Sequence, residues 1–358
     1  MGLRPVADAD GPGVTIDCML CHGGSLFGKS YVGLPNTSLD LADLFVAFAA
    51  AQGVPALQPY RLSNVRGTTE ATATAIFLSA FRDPELNVRL PTEFAPIPDQ
   101  MCEDPPAWWL LRKKKTMYHN GRHDARAVRP LMSFMMSPMM SGVQFKAFEP
   151  TFKDIREYLL TIDAPKYPFP IDAALAEQGR SIFADTCARC HGTEKEYPNK
   201  IIPLEKIGTD PVMVESITPK LDVQYRASWF GREKAADGQL YAVRMSDGYQ
   251  APPLDGIWAT APYFHNGSVP TLEGVLHSSK RPRIFTRSYG TAKEDFDVER
   301  IGWKVTELDA APTSSAGPGD QRRVYDTTQR GRSNTGHRFG DDFTEAERRA
   351  VIEYLKTL

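Results

Sequence analysis

Four of the five cysteines in this 358-residue chain fall into two copies of one short pattern. Cys18-Met19-Leu20-Cys21-His22 and Cys187-Ala188-Arg189-Cys190-His191 both read C-x-x-C-H. Thiols at this spacing can bond to the two vinyl-derived carbons of one porphyrin while the adjacent imidazole reaches the iron from the same side. A disulfide, a redox C-x-x-C pair or half of a zinc site are the competing readings. A redox pair has no need of the following histidine, and zinc requires further Cys or His nearby. The duplicated motif therefore points to two covalently bound haem c groups. Cys18, Cys21, Cys187 and Cys190 are the attachment points, and His22 and His191 the proximal iron ligands. Cys102 is left over and reads as a small packing residue.

The duplication extends beyond the motifs. The segment from Pro106 to Gly121 pairs without a gap with Pro252 to Gly267, and both copies close on aromatic-His-Asn-Gly. Glu157-Tyr158-Leu159-Leu160-Thr161-Ile162 pairs with Glu353-Tyr354-Leu355-Lys356-Thr357-Leu358. Three elements recurring in one order at unequal spacing read as two copies of one domain, each with its own loop insertions.

Helices must position these residues. Asp172 caps a helix whose Leu175, Gly179, Ile182 and Phe183 share one face just before Cys187. The last helix opens with the capping box Thr344-Glu345-Ala346-Glu347 and buries Phe343, Ala350, Val351, Tyr354, Leu355 and Leu358. Its counterpart spans about 151–162 and stops ahead of Pro165. Two more helices are predicted near 38–51 and 68–82. Asp163 to Pro170 reads as a stiff linker, and 303–336 as a long polar surface loop. The predicted fold is mainly α, with two tandem cytochrome c-like domains (1–163 and 171–358, joined by 164–170), each carrying one haem c.

Composition excludes several alternatives. Hydrophobic residues make up 42% and charged residues 24%, ordinary values for a globular protein. The net charge of −2 offers no strong field for nucleic acid, and no apolar run is long enough for a transmembrane segment. Haem attachment to cysteine takes place outside the bacterial cytoplasm. The first residues show neither the basic start nor the apolar stretch of a secretion signal. The expectation is a mature form, periplasmic or secreted.

The stretch Pro252-Pro253-Leu254-Asp255-Gly256-Ile257-Trp258-Ala259-Thr260-Ala261-Pro262-Tyr263-Phe264-His265-Asn266-Gly267-Ser268-Val269-Pro270-Thr271-Leu272 resembles a signature of the diheme cytochrome c peroxidase superfamily. Its wording, with Asn334-Thr335-Gly336-His337-Arg338-Phe339-Gly340 before the last helix, is most like the branch containing the diheme rubber oxygenases. The resemblance covers 170–358 well and 1–163 more loosely. It implies two packed cytochrome c domains whose haems exchange electrons, one reacting with hydrogen peroxide or dioxygen and the other relaying electrons from a redox partner protein. It also implies that His265 sits between the haems and organises their propionates, with Trp258 either in the same region or in the core. Calcium between the domains is a further implication, without residues to assign it to.

The sixth iron ligands separate electron transfer from oxygen activation. For the second haem His337 is the first candidate, ahead of Met245 and His277. For the first, the resembled peroxidases place a histidine sixteen residues after the motif, where this chain has Ser38. Glu70 is either an acid–base glutamate or a favourable charge at a helix start. His119 either lines the haem pocket or caps a turn. Met132, Met135, Met136, Met139 and Met140 offer a thioether ligand or flexible filler around a porphyrin. Arg112-Lys113-Lys114-Lys115 is either a docking patch or a solvated face. Three functions follow: a peroxidase-like enzyme with a reactive first haem, a rubber oxygenase-like dioxygenase with a pocket lined by Trp108, Trp109 and Phe134, and a non-enzymatic electron carrier.

Overall fold

Each C-x-x-C-H copy closes a single helical turn, Met19–His22 in the first half and Ala188–His191 in the second. In both turns the histidine N–H donates to the carbonyl of the first cysteine at 3.1 Å. The computed structural model describes residues 1–8, 11–53, 65–91, 101–136, 140–192, 196–312 and 318–358.

The second repeat recurs in backbone detail. Tyr118 and its counterpart Phe264 both sit at φ 68, and Gly121 and Gly267 at φ 61 and 69. Asn120 Oδ1 accepts from the Arg122 N–H at 3.1 Å, and Asn266 Oδ1 from the Ser268 N–H at 3.3 Å. An aromatic residue in the left-handed region costs on the order of 1–3 kcal/mol, and such strain clusters at functional sites. The helices Glu149–Leu160 and Glu345–Leu355 begin at positions that the third repeat equates.

Before the motifs the two halves diverge. The second motif follows the helix Ala173–Thr186, capped by Asp172, whose side chain accepts from Ala174 and Leu175 at 3.0 Å. The first follows an antiparallel hairpin, Leu3–Asp8 with Gly11–Ile16. Pro5, Gly11, Pro12 and Gly13 break helical propagation there, so a helix precedes only the second motif. Small antiparallel sheets recur along the chain, five two-stranded and one three-stranded among the described residues. The mainly α expectation is thereby corrected to a mixture of helices and short strands. With 28 prolines and 27 glycines, many helices stop after one or two turns and the segments between them pair.

The helices predicted near 38–51 and 68–82 run Leu41–Ala51 and Ala71–Ala80. Part of 303–336 is not a surface loop. Val324–Asp326 pairs with Ile284–Thr286 and is buried, with Tyr325 stacked on Phe285 at 5.3 Å. The Ser/Gly/Pro cluster at 313–317 lies outside the described residues.

One hydrophobic core runs across both sides of the linker. Leu26, Leu34, Ala107 and Trp109 join Phe183, Trp258, Trp303 and Tyr354 in it. The linker is stitched to this core: Trp258 Nε1 donates to the Pro165 carbonyl at 2.9 Å, and Tyr167 meets the Trp258 ring edge-on. The 173–186 helix crosses the terminal helix where Gly179 meets Ala350, and a Cβ on Gly179 would run into the Ala350 backbone carbonyl. Gly179→Val is expected to destabilise the protein by about 1–3 kcal/mol through overpacking. A thermal melt checks this, and an unchanged midpoint would mean that the crossing does not need the glycine.

Candidate haem sites

Cys18, Cys21 and His22 open into a cavity of about 800 Å³, within the roughly 300–1,000 Å³ usual for cofactor sites. Its lining is mostly apolar and includes Trp108, whose ring stacks on His22 at 4.7 Å. Burial lowers the His22 pKa to about 4, opposed by the Pro106 backbone carbonyl, so the imidazole is neutral and free to bind metal. Its Nδ1 makes no well-formed hydrogen bond among the described residues. Burial also pushes Cys21 up to about 12 and raises Cys18. A redox C-x-x-C pair usually carries a lowered thiol pKa, and burial moves these two the other way. Two thiols and a neutral imidazole opening into an apolar cofactor-sized cavity fit a haem c.

At the second motif, His191 Nδ1 donates to the Pro252 carbonyl at 2.8 Å. A metal-binding histidine is commonly oriented this way, and Pro252 is the repeat counterpart of Pro106. The His337 ring centroid lies 6.2 Å from that of His191. Two imidazoles bound to one ion at ~2.0 Å would place their centroids roughly 6 Å apart.

The loop holding His337 is tightly constrained. His337 sits at φ 45 after Gly336 at φ 78, and a Cβ on Gly336 would meet the backbone of Ile207 to Thr209. The His337 N–H donates to the Ile207 carbonyl at 2.7 Å. Arg281 donates to the carbonyls of Gly274, Asn334 and Gly336 at 2.7 Å and of His337 at 3.1 Å. Buried Asp210 accepts from the N–H groups of Gly331 and Ser333, and Asn266 Nδ2 donates to the Ser333 carbonyl at 3.0 Å. The repeated His-Asn-Gly turn thus supports the His337 loop. The other two candidates are engaged elsewhere: His277 pairs with Ser279 at 2.9 Å, and Met245 is 46% exposed with its sulfur toward Arg122.

His119 and His265, equivalent in the repeat, face each other with ring centroids 6.3 Å apart. His119 Nε2 donates to the Asp104 carbonyl at 2.6 Å, and His265 stacks on Tyr249 at 3.9 Å. Burial holds both neutral, His119 at about 4 and His265 well below its usual range. His119 also lines the first cavity. Trp258 lines neither that cavity nor the cleft at His191 and belongs to the core. Glu70 is buried at the N-cap position of the 71–80 helix and does not line the cavity. Carboxyl side chains that do line it are Asp17, Asp83, Glu103 and Asp104, none of them marked out by a sequence motif. Burial pushes Glu103 up to about 7, against hydrogen bonds from Thr72.

Met132, Met136 and Met140 pack around Leu86, Phe145, Trp229 and Phe230 as filler. Met135 lines the cavity, its sulfur 3.7 Å from Cys18 Sγ, and Met139 lies outside the described residues. Trp109 is buried in the core with Nε1 donating to the Asp255 carbonyl at 2.8 Å, so it cannot line an apolar substrate pocket. The basic run is largely paired: Arg112 with Asp163, Lys113 with Asp255 and Lys115 with Glu196, while burial lowers Lys114 to about 8. Cys102 is buried beside Val65, Phe285 and Tyr325. Among the described residues no three His, Cys, Asp or Glu side chains converge on a metal position, so calcium remains without assigned residues and zinc at the motifs does not fit. Nor, among these residues, is any helix long and apolar enough to cross a membrane.

Residues 248–286 match the family model described as RoxA-like, cytochrome c-like. They include the Pro252–Leu272 stretch and the support of His191 and His337. The chain thus contains a cytochrome c-like segment, which implies haem c binding, alongside its two C-x-x-C-H motifs. It is 29% identical over 249 residues to the uncharacterized protein y4iJ of Sinorhizobium fredii (strain NBRC 101917 / NGR234), covering 52% of this chain and 39% of that protein. It is 30% identical over 243 residues to the uncharacterized protein y4iM of the same strain, covering 57% and 53%. The chain thus spans about half or less of the length of these relatives. A chain of Kuenenia stuttgartiensis hydrazine synthase, studied under xenon pressure, overlays 81% of this chain and 88% of its own length at 13% identity, with a TM-score of 0.29.

Two expectations follow. Replacing Cys18 and Cys21 together by Ala should halve the covalently bound haem per chain in a pyridine haemochrome assay; an unchanged count would mean that the first motif is not an attachment site. Glu103 has a native pKa of about 7, above the ~4.3 of an unfolded glutamate. The native state therefore binds the extra proton between these values, and stability falls as pH rises through that window, by up to about 3 kcal/mol. Glu103→Gln should reduce the loss of melting temperature between pH 5 and pH 8. A pH profile identical to the parent would remove Glu103 as its source.

Proposed function

We propose that this chain is a periplasmic or secreted diheme c-type oxidoreductase of peroxidase-like activity, built as two cytochrome c-like domains with a reactive first haem and an electron-relay second haem. The observation that carries it is the contrast between the two sites. His191 faces His337, 6.2 Å away on a loop fastened by Arg281, as befits an iron closed on both sides and suited to electron transfer. Nothing comparable faces His22 among the described residues; about 800 Å³ opens there instead.

When bound, the first haem supplies the redox chemistry for cleaving an O–O bond. Reduction of hydrogen peroxide would consume two protons and two electrons from a redox partner protein and release two waters, and Cys187, Cys190, His191 and His337 would hold the group that relays the electrons. The chain's own residues orient and shield. Trp108 braces His22 by stacking, and the Pro252 carbonyl sets the His191 imidazole. His119 and His265 stay neutral; the one N–H of His119 goes to the Asp104 carbonyl, while that of His265 can donate to a porphyrin carboxylate without adding buried charge. Glu103, poised near neutral pH at the cavity wall, can exchange protons with its interior.

One observation favours a second reading, an electron carrier. Met135 lines the first cavity beside Cys18, and a thioether ligand from it would close that iron.

An optical and EPR titration with cyanide and then peroxide, in the oxidised and half-reduced states, separates the two. A cyanide-binding haem supports the enzyme; two low-spin haems indifferent to both reagents mean an electron carrier. Arg281→Met should release the His337 loop, converting the second haem partly from low-spin to high-spin while covalent haem is retained. An unchanged EPR spectrum would remove Arg281 as the fastener of that ligand.

A further inference from the structure

Among the polar atoms of the first cavity without a hydrogen-bond partner among the described residues are Tyr118 Oη, His123 Nδ1 and Tyr225 Oη. These three belong to one cluster. The Tyr118 and His123 rings meet edge-on at 5.5 Å, and His123 lies 4.9 Å from the Tyr225 ring. His123 is only 8% exposed. A buried polar atom left unpaired is costly, and three in one place point to a partner that the described residues do not supply.

The internal repeat indicates where that partner sits. Phe264, the counterpart of Tyr118, has the same left-handed backbone and places its ring 5.9 Å from His337. Tyr118 therefore occupies the first-site equivalent of the position beside the sixth ligand. The counterpart of His123 is Val269, fully buried in the core. At both positions the first half carries a hydrogen-bonding group where the second carries a hydrocarbon.

Tyr225 comes from the far half of the chain, on the helix Pro219–Ala227. That helix is fixed by the buried ion pair of Arg122 with Asp222 at 2.7 Å, and the Arg122 guanidinium lies 5.5 Å from the Tyr225 ring.

We infer that Tyr118, His123 and Tyr225 form the ligand-facing wall of the first haem and hydrogen-bond a small polar oxidant of the peroxide class. The two hydroxyls donate, and the neutral imidazole accepts or donates according to its tautomer. Such a wall discriminates against an apolar alkene, which would leave all three groups unpaired. The inference deepens the peroxidase-like reading and rests on an open first iron.

The test is infrared spectroscopy of the carbon monoxide complex of the reduced full-length protein, for the parent and for Tyr118→Phe, His123→Leu and Tyr225→Phe. Cyanide affinity of the oxidised forms is measured alongside, and melting curves confirm folding. Tyr118→Phe and Tyr225→Phe are expected to move the C–O stretch to higher frequency, His123→Leu to move it up or down according to whether its nitrogen donates or accepts, and loss of one hydrogen bond to weaken cyanide binding roughly tenfold. A complex whose band and cyanide affinity are unmoved in all three variants overturns the inference and leaves the open-iron reading standing. Absence of any carbon monoxide complex overturns the open-iron reading, and the inference with it. A parent spectrum showing one of the three bound directly to iron, lost on its substitution, also overturns it.

Discussion

The demand on which this molecule turns is that an imidazole be kept neutral and aimed in a place where water cannot hydrate its charge. A metal ligand must offer a lone pair, and burial strips the proton from histidine more cheaply than any base could. The same desolvation acts on His22 and His191 at the motifs, on His337 opposite His191, and on the facing pair His119 and His265. Direction is supplied separately, by backbone carbonyls and stacked rings. The strained residues near these histidines, Tyr118, Phe264 and His337 with its positive φ, show where the chain accepts local cost to hold that aim.

The two sites share a plan and differ in what faces the motif. In the second, a loop held by Arg281, Asp210 and Asn266 brings an imidazole opposite His191. In the first, the equivalent space is walled by side chains from distant parts of the chain, including a helix of the other half. Loss of symmetry between duplicated sites is a simple way to divide storage of an electron from reaction with it.

Much of this was legible in the residues. The motifs, the ungapped repeat, the Asp172 cap and the Thr344 capping box are local patterns with local consequences, and each has its counterpart in the structure. The hairpin before Cys18 was also within reach, since proline and glycine at 5 and 11–13 argue against a helix. What stayed hidden depends on distant pairing. No sequence signal distinguishes Arg281 from any other surface arginine, or says that Glu103 rather than Glu70 faces the cavity. Strands of three residues, such as Val324–Asp326, are too short to carry an alternating pattern and exist because a partner strand waits elsewhere.

The shared core and the Arg122–Asp222 pair bear on how such a chain can be divided. Glu233 receives the N–H groups of Val128 and Arg129, and Tyr225 and Phe230 reach across to the first cavity. The wall of the first pocket is thus on loan from the second half. Duplication would supply two pockets, but this borrowing ties the first to the second half, because the first half does not carry its own pocket complete. The unit that selection acts on is the pair, and its first pocket takes shape only after the far half of the polypeptide has been made and has folded back against it.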